Sequence, residues 1–208
     1  LGGSLGEASV LTNEEKFELL RFTVDKIAGK IPVVLNIAEG STREAIKLAQ
    51  QAEKTGATGL MLLPPMRYKS DHRETVTYFK EVAKSTSLPI MIYNNPVDYK
   101  IEVTLEMFDE LVEVKNIEAV KESTRDISNV TRMINRFGDR FKILCRSTLH
   151  EPQRAGVERL LDARLDHCRA LIVRQVQPGA FIRGALLNSR TQCLATLHLE
   201  SNYHVVLL

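Results

Sequence analysis

Pro89-Ile90-Met91-Ile92-Tyr93-Asn94-Asn95-Pro96 and Ile117-Glu118-Ala119-Val120-Lys121-Glu122-Ser123-Thr124 are short apolar runs that end in polar residues. The segment between them is long enough for a crossover helix, as consecutive parallel strands require. Runs this apolar suit strands buried on both faces, the habit of parallel sheets. As neighbours about 5 Å apart, they place the Tyr93 phenol beside the Lys121 amine at one rim. Alternation sets Met91 with Tyr93 and Ala119 with Lys121, and leaves Ile90, Ile92 and Val120 to pack under helices.

The same unit recurs outward in both directions. Strand candidates begin near Ile31, Thr58, Pro89, Ile117 and Phe141, spaced as repeated βα units demand. Thr12-Asn13-Glu14-Glu15 and Ser41-Thr42-Arg43-Glu44 each place a hydroxyl three residues before a glutamate, the pattern of a capping box at a helix start. The first helix then turns Phe17, Leu20, Val24 and Ile27 inward. Further helices are predicted over His72 to Ala83, Leu105 to Val112 and Asp126 to Arg136, the last stopped by Gly138. Their apolar stripes are core. Alternating β and α units fit either an open doubly wound sheet or a closed eight-stranded barrel. Gly2-Gly3-Ser4-Leu5-Gly6 lacks dinucleotide-binding spacing, and no Gly-Lys-Ser/Thr phosphate loop occurs. Polar residues following the strands favour a barrel, whose chemistry sits at strand C-terminal ends.

Composition narrows the function classes. A chain of 208 residues with 28 basic and 26 acidic side chains has length for a substantial core and no charge bias toward a polyanion. No run of about 18 uncharged apolar residues predicts a membrane span, and Leu1-Gly2-Gly3-Ser4 does not resemble a secretory leader. A cytoplasmic protein is expected. Cys145, Cys168 and Cys193 are odd in number and widely spaced, which fits free thiols better than disulfides or zinc. No metal site and no diffusible cofactor are expected. Charge divides the chain at about residue 145: residues 146–208 contain no lysine, eight arginines and five acids. That tail reads as a separate basic module, an altered fold end or translation in a shifted frame, with the last preferred. A nucleic-acid role is disfavoured because its only aromatics are Phe181 and Tyr203.

A lysine held among apolar side chains loses hydration of its charged form and becomes a free amine able to attack a carbonyl. A lysine ending a strand more often reaches water, so spacing alone leaves both readings of Lys121 open. Gly3-Ser4-Leu5-Gly6-Glu7, before the first capped helix, could bring backbone N–H groups and the Ser4 hydroxyl to an anion; a plain loop is the blander reading.

Together, Gly3-Ser4-Leu5-Gly6-Glu7, Tyr93-Asn94-Asn95-Pro96 and Val120-Lys121-Glu122-Ser123-Thr124 resemble the dihydrodipicolinate synthase and N-acetylneuraminate lyase family. The resemblance covers about residues 1–145 and implies a (β/α)8 TIM barrel. It also implies a class I lyase in which Lys121 forms a Schiff base with pyruvate or another small 2-oxo acid. Tyr93 is then the proton-relaying tyrosine, Ser4 and Leu5 fall in the carboxylate-binding loop, and a homo-oligomer is common.

Departures from the family qualify these expectations. The chain lacks the family's first strand and helix and most of its second strand. It also leaves the pattern after Lys142-Ile143-Leu144-Cys145, so the barrel is expected to be incomplete. Leu5 stands where a second threonine is usual, and Val97-Asp98 where an arginine holds a substrate carboxylate. Both argue against aspartate semialdehyde and for a dehydratase, deaminase or aldolase of a sugar-acid or hydroxyproline-derived 2-oxo acid. Arg67 and Tyr68 fall near a family tyrosine without an assigned role. The alternative function is a catalytically inactive, truncated or frameshifted product.

Overall fold

The computed structural model describes residues 1–6, 8–65 and 68–145; the expected tail domain, Glu7 and Arg67 lie outside them. After a 3₁₀ turn over Ser4–Gly6 come α1 (Asn13–Ile27), β1 (Val34–Ile37), α2 (Thr42–Thr55), β2 (Gly59–Leu62) and α3 (His72–Lys84). These lead into β3 (Ile90–Asn94), α4 (Pro96–Tyr99), α5 (Leu105–Leu111), β4 (Ile117–Glu122), α6 (Ile127–Phe137) and β5 (Lys142–Cys145). All five strand candidates form, each within a few residues of its expected start. The short α4 is an addition. Asn95 caps it by accepting from the Asp98 N–H, and Pro96 occupies its first turn, where a missing N–H costs nothing.

Strand order decides between the two architectures. The sheet runs β1-β2-β3-β4-β5 and every adjacent pair is parallel. A doubly wound sheet reverses direction at a switch point; these described strands never do. Among the described residues, the five longer helices, α1, α2, α3, α5 and α6, cover one face. There Ile37, Leu62, Ile92 and Val120 pack with Leu20, Leu48, Val82, Phe108 and Met133 in one cluster. The other face holds a smaller cluster, Met61, Leu63 and Tyr93, flanked by Val34, Ala38, Met91 and Tyr99. Sequential parallel winding with one helix-covered face is barrel construction, and the described residues form part of that barrel.

Local sequence accounts for the helix ends. The Thr12–Glu15 capping box forms, with the Thr12 N–H donating to Glu15 Oε2 at 2.8 Å and the Glu15 N–H to Thr12 Oγ1 at 3.2 Å. Asp71 and Glu74 make a second reciprocal box on α3. The box expected at Ser41 does not form: Ser41 makes no side-chain cap bond. Its glutamate, Glu44, pairs instead with Lys47 at 2.8 Å. Gly56 ends α2 at φ 94, where a Cβ would approach Val24 to 3.2 Å. Of the stripe on α1, Phe17 and Leu20 are buried, while Val24 and Ile27 pack partly buried against the core.

Candidate active site

The face away from the five longer helices brings the tyrosine and the lysine together. Tyr93 and Lys121 are register partners across β3 and β4. Lys121 Nζ lies 3.9 Å from the centre of the Tyr93 ring and 3.8 Å from Met61 Sδ on β2. A register shift between Ile90 and Met91 makes this alignment. Ile90 pairs with Ile117, Met91 with Ala119, and Glu118 is passed over. Without that bulge the alternation from Ile117 would turn Lys121 toward the helices, because a one-residue slip exchanges the faces of a strand.

Tyr93 is 8% exposed, and its hydroxyl oxygen accepts from Asn95 Nδ2 at 3.1 Å. The same amide donates to Asp98 Oδ2 at 2.7 Å, and Arg125 reaches Asp98 Oδ1 at 3.4 Å. Asp98, standing where the family resemblance leads one to expect an arginine, therefore orients Asn95 and meets an arginine from the loop after β4. Arg125 itself has φ 66, a left-handed conformation uncommon outside glycine, asparagine and aspartate.

Ser4, in the 3₁₀ turn before α1, shares a hydrogen bond with the Tyr99 hydroxyl. The Tyr99 ring stands edge-on to Tyr93 with centroids 5.6 Å apart. Burial holds the Tyr99 phenol above its ordinary pKa, with the Ser4 hydrogen bond opposing that rise. Ser4, Tyr93 and Lys121 thus occur in one contiguous set, with Tyr99 joining the first to the second. The backbone of Leu5 belongs to the same turn as Ser4.

Behind Lys121, Glu122 is 2% exposed. It accepts from Asn94 Nδ2 at 3.2 Å, Asn129 Nδ2 at 2.9 Å and the Thr124 N–H at 2.7 Å. Asn94 also brackets Val103, donating to its carbonyl at 3.1 Å and accepting from its N–H at 3.0 Å. Asn36 on β1, in register with Met61, is 7% exposed, and its Oδ1 has no hydrogen-bond partner among the described residues.

The sequence reading did not give roles to Tyr99, Asn95, Asp98, Glu122 or Asn129. Asn95-Pro96 signals a one-turn helix, and that turn would have carried Tyr99 back toward Tyr93. Nothing local in the sequence announces the buried Glu122 network. Tyr68 lies elsewhere, on a groove of about 630 Å³ with Gly40, Arg73 and Tyr78 that includes neither Tyr93 nor Lys121. Among the described residues, no three His, Cys, Asp or Glu side chains are grouped to hold a metal. No described helix is long and apolar enough to cross a membrane.

The profile of the dihydrodipicolinate synthetase family matches residues 1–157. The chain belongs to this family. It is 35% identical over 134 residues to 4-hydroxy-tetrahydrodipicolinate synthase of Bacillus velezensis, a match covering 64% of this chain and 46% of that relative. Among solved structures, dihydrodipicolinate synthase from Aquifex aeolicus is 33% identical with a TM-score of 0.67, covering 70% of this chain and 50% of that one. YagE, a prophage protein of the family from E. coli K12 solved in complex with pyruvate, is 30% identical with a TM-score of 0.66, covering 70% and 50%. The chain spans about half the length of these relatives. The family, the barrel fold and its incompleteness in the described residues agree with the expectation from sequence.

Proposed function

We propose that this chain carries the Schiff-base site of a class I lyase acting on pyruvate or a related small 2-oxo acid. The observation that carries the reading is the register pairing of Tyr93 with Lys121, with Nζ 3.9 Å from the ring centre. The neutral Lys121 amine attacks the C2 carbonyl carbon, and loss of the oxygen as water leaves a protonated imine. That imine accepts the electron pair released when a bond at C3 breaks. Tyr93 moves protons at the reacting centre, its oxygen oriented by Asn95. The exposed turn containing Ser4 and Leu5 orients the carboxylate with its hydroxyl and N–H groups.

The pyruvate complex of the related YagE supports the substrate class. Asp98 at the rim disfavours a second carboxylate on the distal end and suits a hydroxylated 2-oxo acid, because a carboxylate accepts hydroxyl protons and repels another anion. The reading places the protein in the cytoplasm and includes a homo-oligomer, to which exposed Leu19 and Phe22 on α1 contribute apolar surface. Replacing Lys121 with Ala is expected to remove turnover of a 2-oxo acid substrate while leaving part of its binding, compared by steady-state assay and calorimetry. Appreciable turnover by that variant contradicts the proposal.

A further inference from the structure

We infer that Arg125 and Asp98 form a specificity-determining pair that reads a hydroxyl on the distal part of the substrate, so that the carbon chain joined to the pyruvate unit is a hydroxylated one. This rests on the Schiff-base reading and deepens it.

The pair stands beside the path of any substrate longer than pyruvate. Asp98 belongs to α4, which follows β3, and Arg125 to the loop that follows β4, the two strands that carry Tyr93 and Lys121. One nitrogen, Asn95 Nδ2, bridges the Tyr93 hydroxyl at 3.1 Å and Asp98 Oδ2 at 2.7 Å. The carboxylate is therefore no farther from the phenol than two hydrogen bonds laid end to end. A substrate bonded through C2 to Lys121 spans that gap with the carbons beyond the bond that breaks.

Arg125 is held in place by its neighbours. The Thr124 N–H donates to buried Glu122 at 2.7 Å and the Asp126 N–H to Thr124 Oγ1 at 3.3 Å, so Arg125 lies between two anchored residues at φ 66. Glycine adopts that conformation freely and arginine does not; what arginine adds is its side chain. As an ion pair it adds little to stability, because both side chains are more than half exposed and such pairs are screened by water.

The geometry suits a hydroxyl. Arg125 Nη2 and Asp98 Oδ1 are 3.4 Å apart, longer than a tight charge-assisted bond. One hydroxyl oxygen can lie against both, donating its proton to the carboxylate and accepting from the guanidinium. The pair has no net charge, so a lone anion gains the guanidinium but faces the carboxylate. A hydroxyl uses both groups; a methylene uses neither.

The test uses the full 208-residue chain and the addition of pyruvate to aldehydes. Pyruvate held as an enamine on Lys121 bonds through its C3 to the aldehyde carbon, the aldehyde oxygen takes up a proton, and water releases the product from the lysine. Glyceraldehyde and propanal have the same carbon skeleton and differ in their hydroxyls; glyceraldehyde 3-phosphate supplies an anion. kcat/KM is measured for each with the parent and with Arg125→Gly, which keeps the backbone conformation and removes the side chain, and borohydride trapping with peptide mapping reports the imine. The preference for glyceraldehyde over propanal is expected to fall roughly tenfold to a hundredfold in Arg125→Gly, the scale of a hydrogen bond to a charged group, mainly through KM and with the Lys121 adduct retained. A preference within twofold of the parent's overturns the inference. Equal losses with both aldehydes also overturn it, because they assign Arg125 to holding Asn95 and Tyr93 in place. A parent that prefers glyceraldehyde 3-phosphate to glyceraldehyde, and loses that preference in Arg125→Gly, assigns the guanidinium to an anion and overturns the hydroxyl reading. A parent that traps pyruvate at Lys121 but adds it to neither glyceraldehyde nor its phosphate overturns the role of the pair alone. Absence of a Lys121 adduct in the parent overturns the Schiff-base reading and the pair with it.

Discussion

The two ends of the sheet are built differently. At the N-terminal end, Arg140 spends its guanidinium on three carbonyls, those of Val112, Val114 and Ile117, at 2.7 to 2.8 Å. Asn116 donates there to the carbonyls of Ala83 and Thr86 at 2.9 and 3.1 Å. Non-glycine residues with positive φ occur at both ends, Ala28 before β1 and Lys100 and Arg125 after β3 and β4, whereas the buried Ser123 hydroxyl, without a partner among the described residues, lies at the C-terminal end. Lys121, Tyr93, Ser4 and Tyr99 gather at this second end. One end uses side chains to close the backbone's hydrogen-bonding needs; the other retains unmet polar capacity beside the lysine and the tyrosine, where a barrel keeps its chemistry. Substitutions should divide the same way, into those that lower stability and those that lower activity.

The largest stability loss is expected from Phe108→Ala. Phe108 is fully buried and packs edge-on against Phe137 and Phe141. Removing it should cost about 3 to 5 kcal/mol in urea unfolding. Arg140→Ala follows, at about 3 kcal/mol, because charge-assisted bonds to partly buried carbonyls are lost together. In what remains folded, both variants should keep the borohydride-trapped Lys121 adduct. Loss of trapping in a folded Arg140→Ala protein would break the division between the two ends.

Glu122→Gln sharpens the comparison from the other side. The Glu122 carboxylate receives only donors, so a carboxamide must turn an NH2 toward at least one of them. About 1 to 2 kcal/mol of stability is expected to go. Proton exchange into pyruvate should fall by a larger factor than that loss alone explains, because β3 and β4 carry Tyr93 and Lys121 from this clamp. An exchange rate matching the parent would assign Glu122 to stability alone.

The smallest expected effect is at Tyr78, on the helix-covered side. Its hydroxyl is buried without a partner among the described residues, and its pKa is raised, by burial first and the Glu39 charge second. A phenol with a raised folded pKa contributes stability that is complete below its ordinary value near 10 and is lost as pH rises toward the folded value. Tyr78→Phe should therefore raise stability by about 1 kcal/mol at neutral pH and flatten the alkaline loss. Thermal unfolding between pH 7 and 11 measures both.

Much of this architecture was legible in the residues. The apolar runs ending at Asn94 and Glu122 predicted parallel strands whose ends bring Tyr93 and Lys121 together, but the bulge that sets their register was not legible. Strand order was not legible, because apolar alternation is the same in open and closed sheets; it took the register of all five strands to settle it. Ser41 and Glu44 have the spacing of a capping box, yet Lys47 one turn on competes for the glutamate. Tyr99 escaped because its importance depends on a tertiary meeting with Ser4, 95 residues away in sequence. Glu122 escaped for the same reason: its donors come from β3, the following loop and α6.

The central claim, that the C-terminal end of this sheet forms an imine at Lys121, is tested most directly by intact-mass spectrometry after incubation with pyruvate and borohydride. Peptide mapping must accompany it, to distinguish Lys121 from the other lysines of the chain. The account predicts a reduced pyruvate adduct on Lys121 that is absent from Lys121→Ala. A chain folded by circular dichroism that carries no adduct, or carries it only on another lysine, contradicts the claim.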